Sequence, residues 1–134
     1  MRVFLDTNVL VSAFAARGLC ADLLRDVLTR HELVTGEVVL VELRRVLSQR
    51  IGVPAEVAEE VDRFLRGPHV VPRPVDHLGL GLRDPDDEWI VASAVAGGAD
   101  LLVTGDADIL SAGPALPIRT LTPRELWKVL RAEG

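Results

Sequence analysis

Leu101-Leu102-Val103-Thr104-Gly105-Asp106 is a short apolar run that breaks at a turn and delivers a carboxylate. Near the start of the chain, Val3-Phe4-Leu5-Asp6 does the same. Continuous apolar runs without alternation mark strands covered on both faces, as in parallel sheets flanked by helices. In open sheets of that kind, sites form beyond the carboxyl ends of the strands. Two such strands ending in Asp therefore predict an α/β fold with Asp6 and Asp106 on one rim. Asp also favours turns and helix N-caps, so either residue alone reads equally well as the cap of a following helix. Taken jointly, with Gly105 freeing the backbone before Asp106, the pair favours a site.

Outward from these strands, apolar runs alternate with helical periods, the pattern of a mainly parallel sheet. Helices are expected over 10–16 and 20–30, the second carrying Leu23, Leu24, Val27 and Leu28 at helical spacing. A strand at Leu33-Val34 precedes a strong helix over 37–50. Pro54 opens the next helix, with Val57, Val61, Phe64 and Leu65 as its apolar face. The segment 67–86 is rich in Pro and Gly and holds one short strand, Val70-Val71. A helix over 86–97 ends at Gly97-Gly98, which suits a helix C-terminus. A last strand over 118–120 leads to a helix capped by Thr122 and Pro123, with Glu125 completing a capping box. No repeat or linker interrupts the 134 residues, so one domain over 1–134 is expected.

A lone cysteine, Cys20, excludes an internal disulfide and a Cys-based zinc site, and it reads as a small buried hydrophobe. No leader-like or membrane-length apolar run occurs, so a soluble, cytoplasmic protein is expected. The net charge of −5 argues against holding nucleic acid by a basic surface. With 49% hydrophobic residues and a mean hydropathy of +0.27, a chain this short has more apolar surface than its interior needs. A dimer or a dedicated partner is expected to cover the excess.

Two further acids stand among apolar neighbours. Asp87 shares a helix face with Ile90, Val91 and Ala94, so its carboxylate points toward the body of the protein. Asp84 is better placed to cap that helix, Glu88 to face solvent, and Asp86 shares its face with Trp89 and Ile90. The competing reading of Asp87 is a first-turn acid favoured by the helix dipole. Glu42 is flanked at helical spacing by Val38, Val39, Arg45 and Val46, and its plainer reading is a pair with Arg45. Weighed as a set, carboxylates about 4 Å apart repel by roughly 4 kcal/mol per pair at an effective dielectric near 20. Gathered together, Asp6, Glu42, Asp87 and Asp106 demand a cation. Oxygen-only ligation selects Mg²⁺ or Mn²⁺ over zinc, and such ions promote phosphodiester hydrolysis.

Four stretches carry a family resemblance: Phe4-Leu5-Asp6-Thr7-Asn8-Val9-Leu10, Val41-Glu42-Leu43-Arg44-Arg45-Val46-Leu47, Arg83-Asp84-Pro85-Asp86-Asp87-Glu88-Trp89-Ile90-Val91-Ala92, and Ala99-Asp100-Leu101-Leu102-Val103-Thr104-Gly105-Asp106. In this order and spacing the chain resembles the PIN-domain family over nearly its whole length. More narrowly, it resembles the VapC-like ribonuclease toxins of bacterial type II toxin–antitoxin pairs. The resemblance implies a five-stranded parallel sheet between helices and a Mg²⁺- or Mn²⁺-dependent endoribonuclease. It carries the catalytic and metal-holding acids onto Asp6, Glu42, Asp87 and Asp106, with supporting roles for Asn8, Thr104 and Asp108. It implies a homodimer and a cognate antitoxin that enters the active-site groove. One departure is Thr35-Gly36-Glu37, where relatives often show Ser-Glu, which puts the cap of the Glu42 helix in doubt.

Other chemistry fits less well. Ser12, Ser93 and Ser111 with His31, His69 and His77 suggest a triad only superficially, since no Ser sits in a nucleophile elbow. His31 reads as ending a helix, and His69 and His77 as solvated. Trp89 and Trp127 read as core or interface residues. Arg17, Arg44, Arg45 and Arg83 are candidates for substrate phosphates, though each alone reads as surface. A phosphoacceptor receiver needs a Lys after a late strand, and the only lysine, Lys128, lies in the last helix. Two alternatives keep the fold: a catalytically silent domain that binds RNA or a partner, and a nuclease for DNA. The short chain lacks extra helices to grip a duplex, which favours RNA.

Overall fold

A computed structural model describes residues 1–67 and 69–133. Pro68, counted above in the Pro- and Gly-rich segment, and Gly134, the end of the expected domain, lie outside the described residues. The strands are β1 (Arg2–Leu5), β2 (Glu32–Gly36), β3 (Val70–Val71), β4 (Leu101–Val103) and β5 (Arg119–Leu121). They form one five-stranded sheet in the order β3-β2-β1-β4-β5, and every pair is parallel. Val3 and Phe4 lie opposite Leu33 and Val34 on one side and opposite Leu101 and Leu102 on the other. Those central residues are shielded from solvent on both faces, which is why their sequence shows no alternation. All five strands stand where the sequence put them, β5 one residue later.

The helices are α1 (Thr7–Ala15), α2 (Leu19–Arg30), α3 (Glu37–Val46), α4 (Ala55–Leu65), α5 (Pro85–Ala96), α6 (Ala107–Ala112) and α7 (Pro123–Glu133). The crossovers β1→β2→β3 and β3→β4→β5 run in opposite lateral directions. Right-handed crossovers therefore lay α1 to α4 on one face and α5 and α6 on the other. In keeping with this, α2 packs on α1 and α7, while α5 packs on β2 and β4. Among the described residues no single helix is long and apolar enough to cross a membrane.

Local chemistry sets the ends. Helix α1 starts at Thr7, earlier than the periodicity suggested, because Asp6 caps it: its Oδ1 accepts the Thr7 N–H at 2.7 Å. The helix expected over 37–50 is α3 followed by a π-helical turn, Leu47–Ile51, which Gly52 ends at φ +84°. The capping box of α7 forms in both directions, Glu125 N–H to Thr122 Oγ1 at 3.1 Å and Thr122 N–H to Glu125 Oε1 at 2.9 Å. Helix α6, six residues long, was too short to show a period.

The apolar face assigned to α4 is corrected. Ala58, Asp62 and Leu65 are its buried residues, whereas Val57 and Phe64 lie outside at 41% and 59% exposure. Asp62 can be buried because Arg66 Nε donates to its Oδ2 at 2.7 Å, and the same guanidinium grips both oxygens of Glu37 on α3. Phe64 meets Phe14 of α1 edge-on, with ring centroids 6.3 Å apart.

Helix α5 is locked at its C-terminus. Arg2 donates to the carbonyls of Gly97 at 2.7 Å and Gly98 at 3.2 Å, the favoured place for a cation. Gly97 sits against the sheet so closely that a Cβ there would fall 2.6 Å from Val34 Cγ1 and 2.7 Å from Val71 Cγ2. Gly97→Ala should lower stability in urea unfolding by about 1–3 kcal/mol, since β-branched neighbours yield poorly to overpacking. An unchanged midpoint would mean that α5 is not seated on β2 and β3.

Candidate metal centre

The strand order reverses between β1 and β4, and a crevice opens beyond the carboxyl ends of strands at such a reversal. Backbone bonds carry both chains past the sheet in step: Asp6 N–H donates to Val103 O and Thr104 N–H to Leu121 O, each at 2.9 Å. Asp6 and Thr104 thereby become neighbours. The Thr104 hydroxyl, fully buried, donates to Asp6 Oδ2 at 2.7 Å and accepts the Asp106 N–H at 3.0 Å.

For Asp6 and Asp106 the cap and site readings prove compatible. Asp106 caps α6, its Oδ1 accepting the N–H groups of Asp108 at 2.8 Å and Ile109 at 3.1 Å. Helix α5 brings Asp87 to the same crevice, with Pro85 at its start and Asp84 as its cap, accepting the Asp86 N–H at 2.9 Å. One oxygen each of Asp87, Asp106 and Asp108 lie within 4.8 Å of one another. Among the described residues, the buried Oδ2 of Asp87 has no hydrogen-bond partner.

The electrostatics follow. Burial, and then the charges of Asp106, Asp84, Asp6 and Asp108, push the Asp87 carboxyl up to about 7. Burial also raises Asp6, against the hydrogen bonds from Thr104 and Thr7. Glu42, half-buried on α3, is raised by burial and then by the charge of Asp6, partly offset by Arg45. Among the described residues Arg45 forms no ion pair with Glu42, so the plainer reading of that acid does not hold. Glu42 also lines a groove of about 270 Å³ with Glu37, Val38, Val41, Arg45, Arg73 and Asp86.

These residues fit a hard divalent cation. Three carboxylates converge, one presents an orphaned buried oxygen, and no nitrogen or sulfur ligand stands among them. Asn8 is exposed in the first turn of α1, next to Asp6 but outside this cluster.

Glu88 is corrected. It is 8% exposed, accepts the Gly81 N–H through Oε1 at 2.7 Å, and places Oε2 3.4 Å from His77 Nδ1. His77 is also edge-on to Trp89, so it is not merely solvated. Cys20 is half-buried rather than enclosed. The doubtful cap of α3 is absent: Gly36 offers no side chain, and a Cβ there would lie 3.3 Å from Ser93 Cβ. Arg73, which no sequence feature singled out, stands 4.4 Å above the Trp89 ring. Its flanking prolines, Pro72 and Pro74, are the signal that could have shown it, since they hold the backbone extended.

A family model described as PIN domain matches residues 2–108. Several solved structures share the fold. VapBC2 from Rickettsia felis, bound to a DNA fragment from its promoter, matches at 20% identity and TM-score 0.65, covering 91% of this chain and 98% of that one. FitAcB from Neisseria gonorrhoeae matches at 14% identity and TM-score 0.63, with 91% and 98% covered. VapC20 from Mycobacterium tuberculosis, a sarcin–ricin loop cleaving toxin, matches at 20% identity and TM-score 0.60, with 83% and 95% covered. Among curated proteins none matches the sequence.

Without metal, Asp87 holds its proton up to about pH 7 in the folded protein, whereas an unfolded Asp ionises near pH ~3.9. Between those values the folded state carries the extra proton, so stability falls as pH rises. Asp6 and Glu42 add to the same slope. Urea unfolding in EDTA across that window should show this fall, and Asp87→Asn should flatten it. Equal slopes for the two proteins would remove Asp87 from the coupled set. Thr104→Val leaves Asp6 Oδ2 without its donor and should cost about 1–3 kcal/mol in the same assay.

Proposed function

The chain belongs to the PIN-domain family, and from that premise we propose that it is a divalent-metal-dependent endoribonuclease, the toxin of a toxin–antitoxin pair. The observation that carries this reading is the convergence of Asp87, Asp106 and Asp108 at the switch point, with Asp6 tied in through Thr104. In this reading Asp6, Glu42, Asp87 and Asp106 are the catalytic acids and hold Mg²⁺ or Mn²⁺, supported by Asn8, Thr104 and Asp108.

Each residue has a definable task. Thr104 fixes Asp6 Oδ2 and the Asp106 backbone in one geometry, so two ligands from distant parts of the chain are set before the ion arrives. The Asp87 carboxyl gives up its proton on ligation, which makes affinity rise with pH through the neutral range. Glu42 on α3 is near enough to feel the charge of Asp6, and it lines the groove that in this reading receives a strand. When bound, the ion polarises the phosphodiester and lowers the pKa of water at the site.

RNA is favoured as substrate because one neighbour in fold, VapC20, is a sarcin–ricin loop cleaving toxin. A cognate antitoxin, a second copy of the chain and a cytoplasmic setting complete the reading. The exposed Ile51, Val57 and Phe64 supply apolar surface for such partners.

The test is cleavage of a mixed-sequence fluorogenic single-stranded RNA with Mn²⁺, with Mg²⁺ and with EDTA. Metal-dependent cutting is expected, falling to the EDTA level in Asp6→Asn and in Asp87→Asn. The second variant guards against misfolding, since no hydrogen bond to the Asp87 side chain is formed among the described residues. Full turnover in both variants would dismiss the site. Mg²⁺ should also raise Tm, by about 2.7 kcal/mol of added stability at a hundredfold excess over Kd.

A further inference from the structure

The groove beside Glu42 is lined by two valines, two arginines and three carboxylates, those of Glu37, Glu42 and Asp86. Val38 and Val41 line it from α3, Val41 at 68% exposure, with Arg45 on the same helix and Arg73 facing from the segment before α5. Neither arginine forms a hydrogen bond or ion pair with a carboxylate among the described residues. Glu37, on the same groove, is neutralised by Arg66.

Arg73 is held in an unusual way for a surface cation. Its guanidinium stands over the Trp89 ring at 4.4 Å, between Pro72 and Pro74 in sequence. Stacking fixes the plane of a guanidinium while leaving its in-plane N–H donors free. Arg131 offers the contrast, since it stacks on Trp127 at 3.9 Å but spends its charge on Asp26 at 2.9 Å. The Trp89 platform is itself rigid: His77 meets the ring edge-on at 5.5 Å, and Glu88 bonds the Gly81 N–H. Trp89 follows Asp87 by two residues on α5, so the platform and the metal-facing acid move as one body.

We propose that Arg73 on its Trp89 platform, together with Arg45 of the same groove, grips the backbone phosphate of the nucleotide next to the scissile bond, so that this groove is the entry track of a single RNA strand. Two arginines without a direct carboxylate partner, one of them stacked, suit a phosphodiester even beside Glu42 and Asp86, and the two valines suit the flank of a base or ribose. The inference rests on the nuclease reading above and names its substrate-positioning residues.

Arg73→Gln, Arg73→Lys and wild type are compared in two assays on one labelled oligoribonucleotide: cleavage kinetics in Mn²⁺, and binding by fluorescence anisotropy in Ca²⁺ over a salt series. The Gln variant is expected to raise KM and Kd by roughly 5- to 30-fold with kcat little changed, a phosphate contact being charge-assisted. Its salt slope should fall by about 0.7, one single-strand phosphate contact, and Arg73→Lys should restore the slope. If wild type cuts RNA and Arg73→Gln matches it in KM and slope, the inference is overturned, the nuclease reading stands, and the groove is left to a protein segment. If nothing cuts but binding still depends on Arg73, the nuclease reading falls, and the phosphate contact stands without a scissile bond beside it. Absence of RNA binding by wild type overturns both.

Discussion

Like charges brought together out of water govern this structure. Asp6 and Asp106 lie a hundred residues apart in sequence, yet one buried hydroxyl, that of Thr104, touches the side chain of the first and the backbone of the second. Around them Asp87 and Glu42 add charge that burial makes costly, and Asp108 stands beside Asp87 and Asp106. A chain held together only by its core would place such groups apart. Here helix caps, a strand-end hydroxyl and a helix entering from the far edge of the sheet force them into one crevice. The resulting strain is relieved by protons or by a cation, and that is the physical link between fold and chemistry.

Helix α5 carries most of this arrangement. Its N-terminus delivers Asp84, Asp86 and Asp87, and its C-terminus is clamped by Arg2 and by the close seat of Gly97 on Val34 and Val71. Between the ends, Glu88 and Trp89 hold the preceding segment through Gly81, His77 and Arg73. Asp87 of the acid cluster, Asp86 of the groove and the Trp89 under Arg73 are thus parts of one helix, seated at its other end by Gly97.

The apolar excess has a structural counterpart. The core absorbs the strands and the inner faces of α1, α2, α3, α5 and α7, while Val41, Ile51, Val57 and Phe64 remain outside. Helix α4 shows why. Its inner face uses the small Ala58 and an Asp62 neutralised by Arg66, which frees Phe64 for an edge contact with Phe14.

Much of this was legible from residue patterns, because buried parallel strands and capped helices write local signatures. The runs ending in Asp6 and Asp106, the Thr122 box and the stop at Gly97 all act within a few residues of themselves. So does the alignment of Asp87 with Ile90 and Val91, which turns that acid inward. What distance in sequence hid was the partner of each group. Glu88 looked solvent-facing because nothing nearby in the chain announced that Gly81 would fold back onto it. The face of α4 is not set by its apolar residues alone, because Arg66 at its end, held by Glu37 from α3, decides whether Asp62 can be buried. Sequence by itself determined the strands, every helix but α6, and the acids that follow the strands, since those depend on local propensity and periodicity. Only the tertiary structure decided the Thr104 bridge, the convergence of Asp87, Asp106 and Asp108 and the stacking of Arg73 on Trp89, because each requires strand order and packing to bring remote residues within reach.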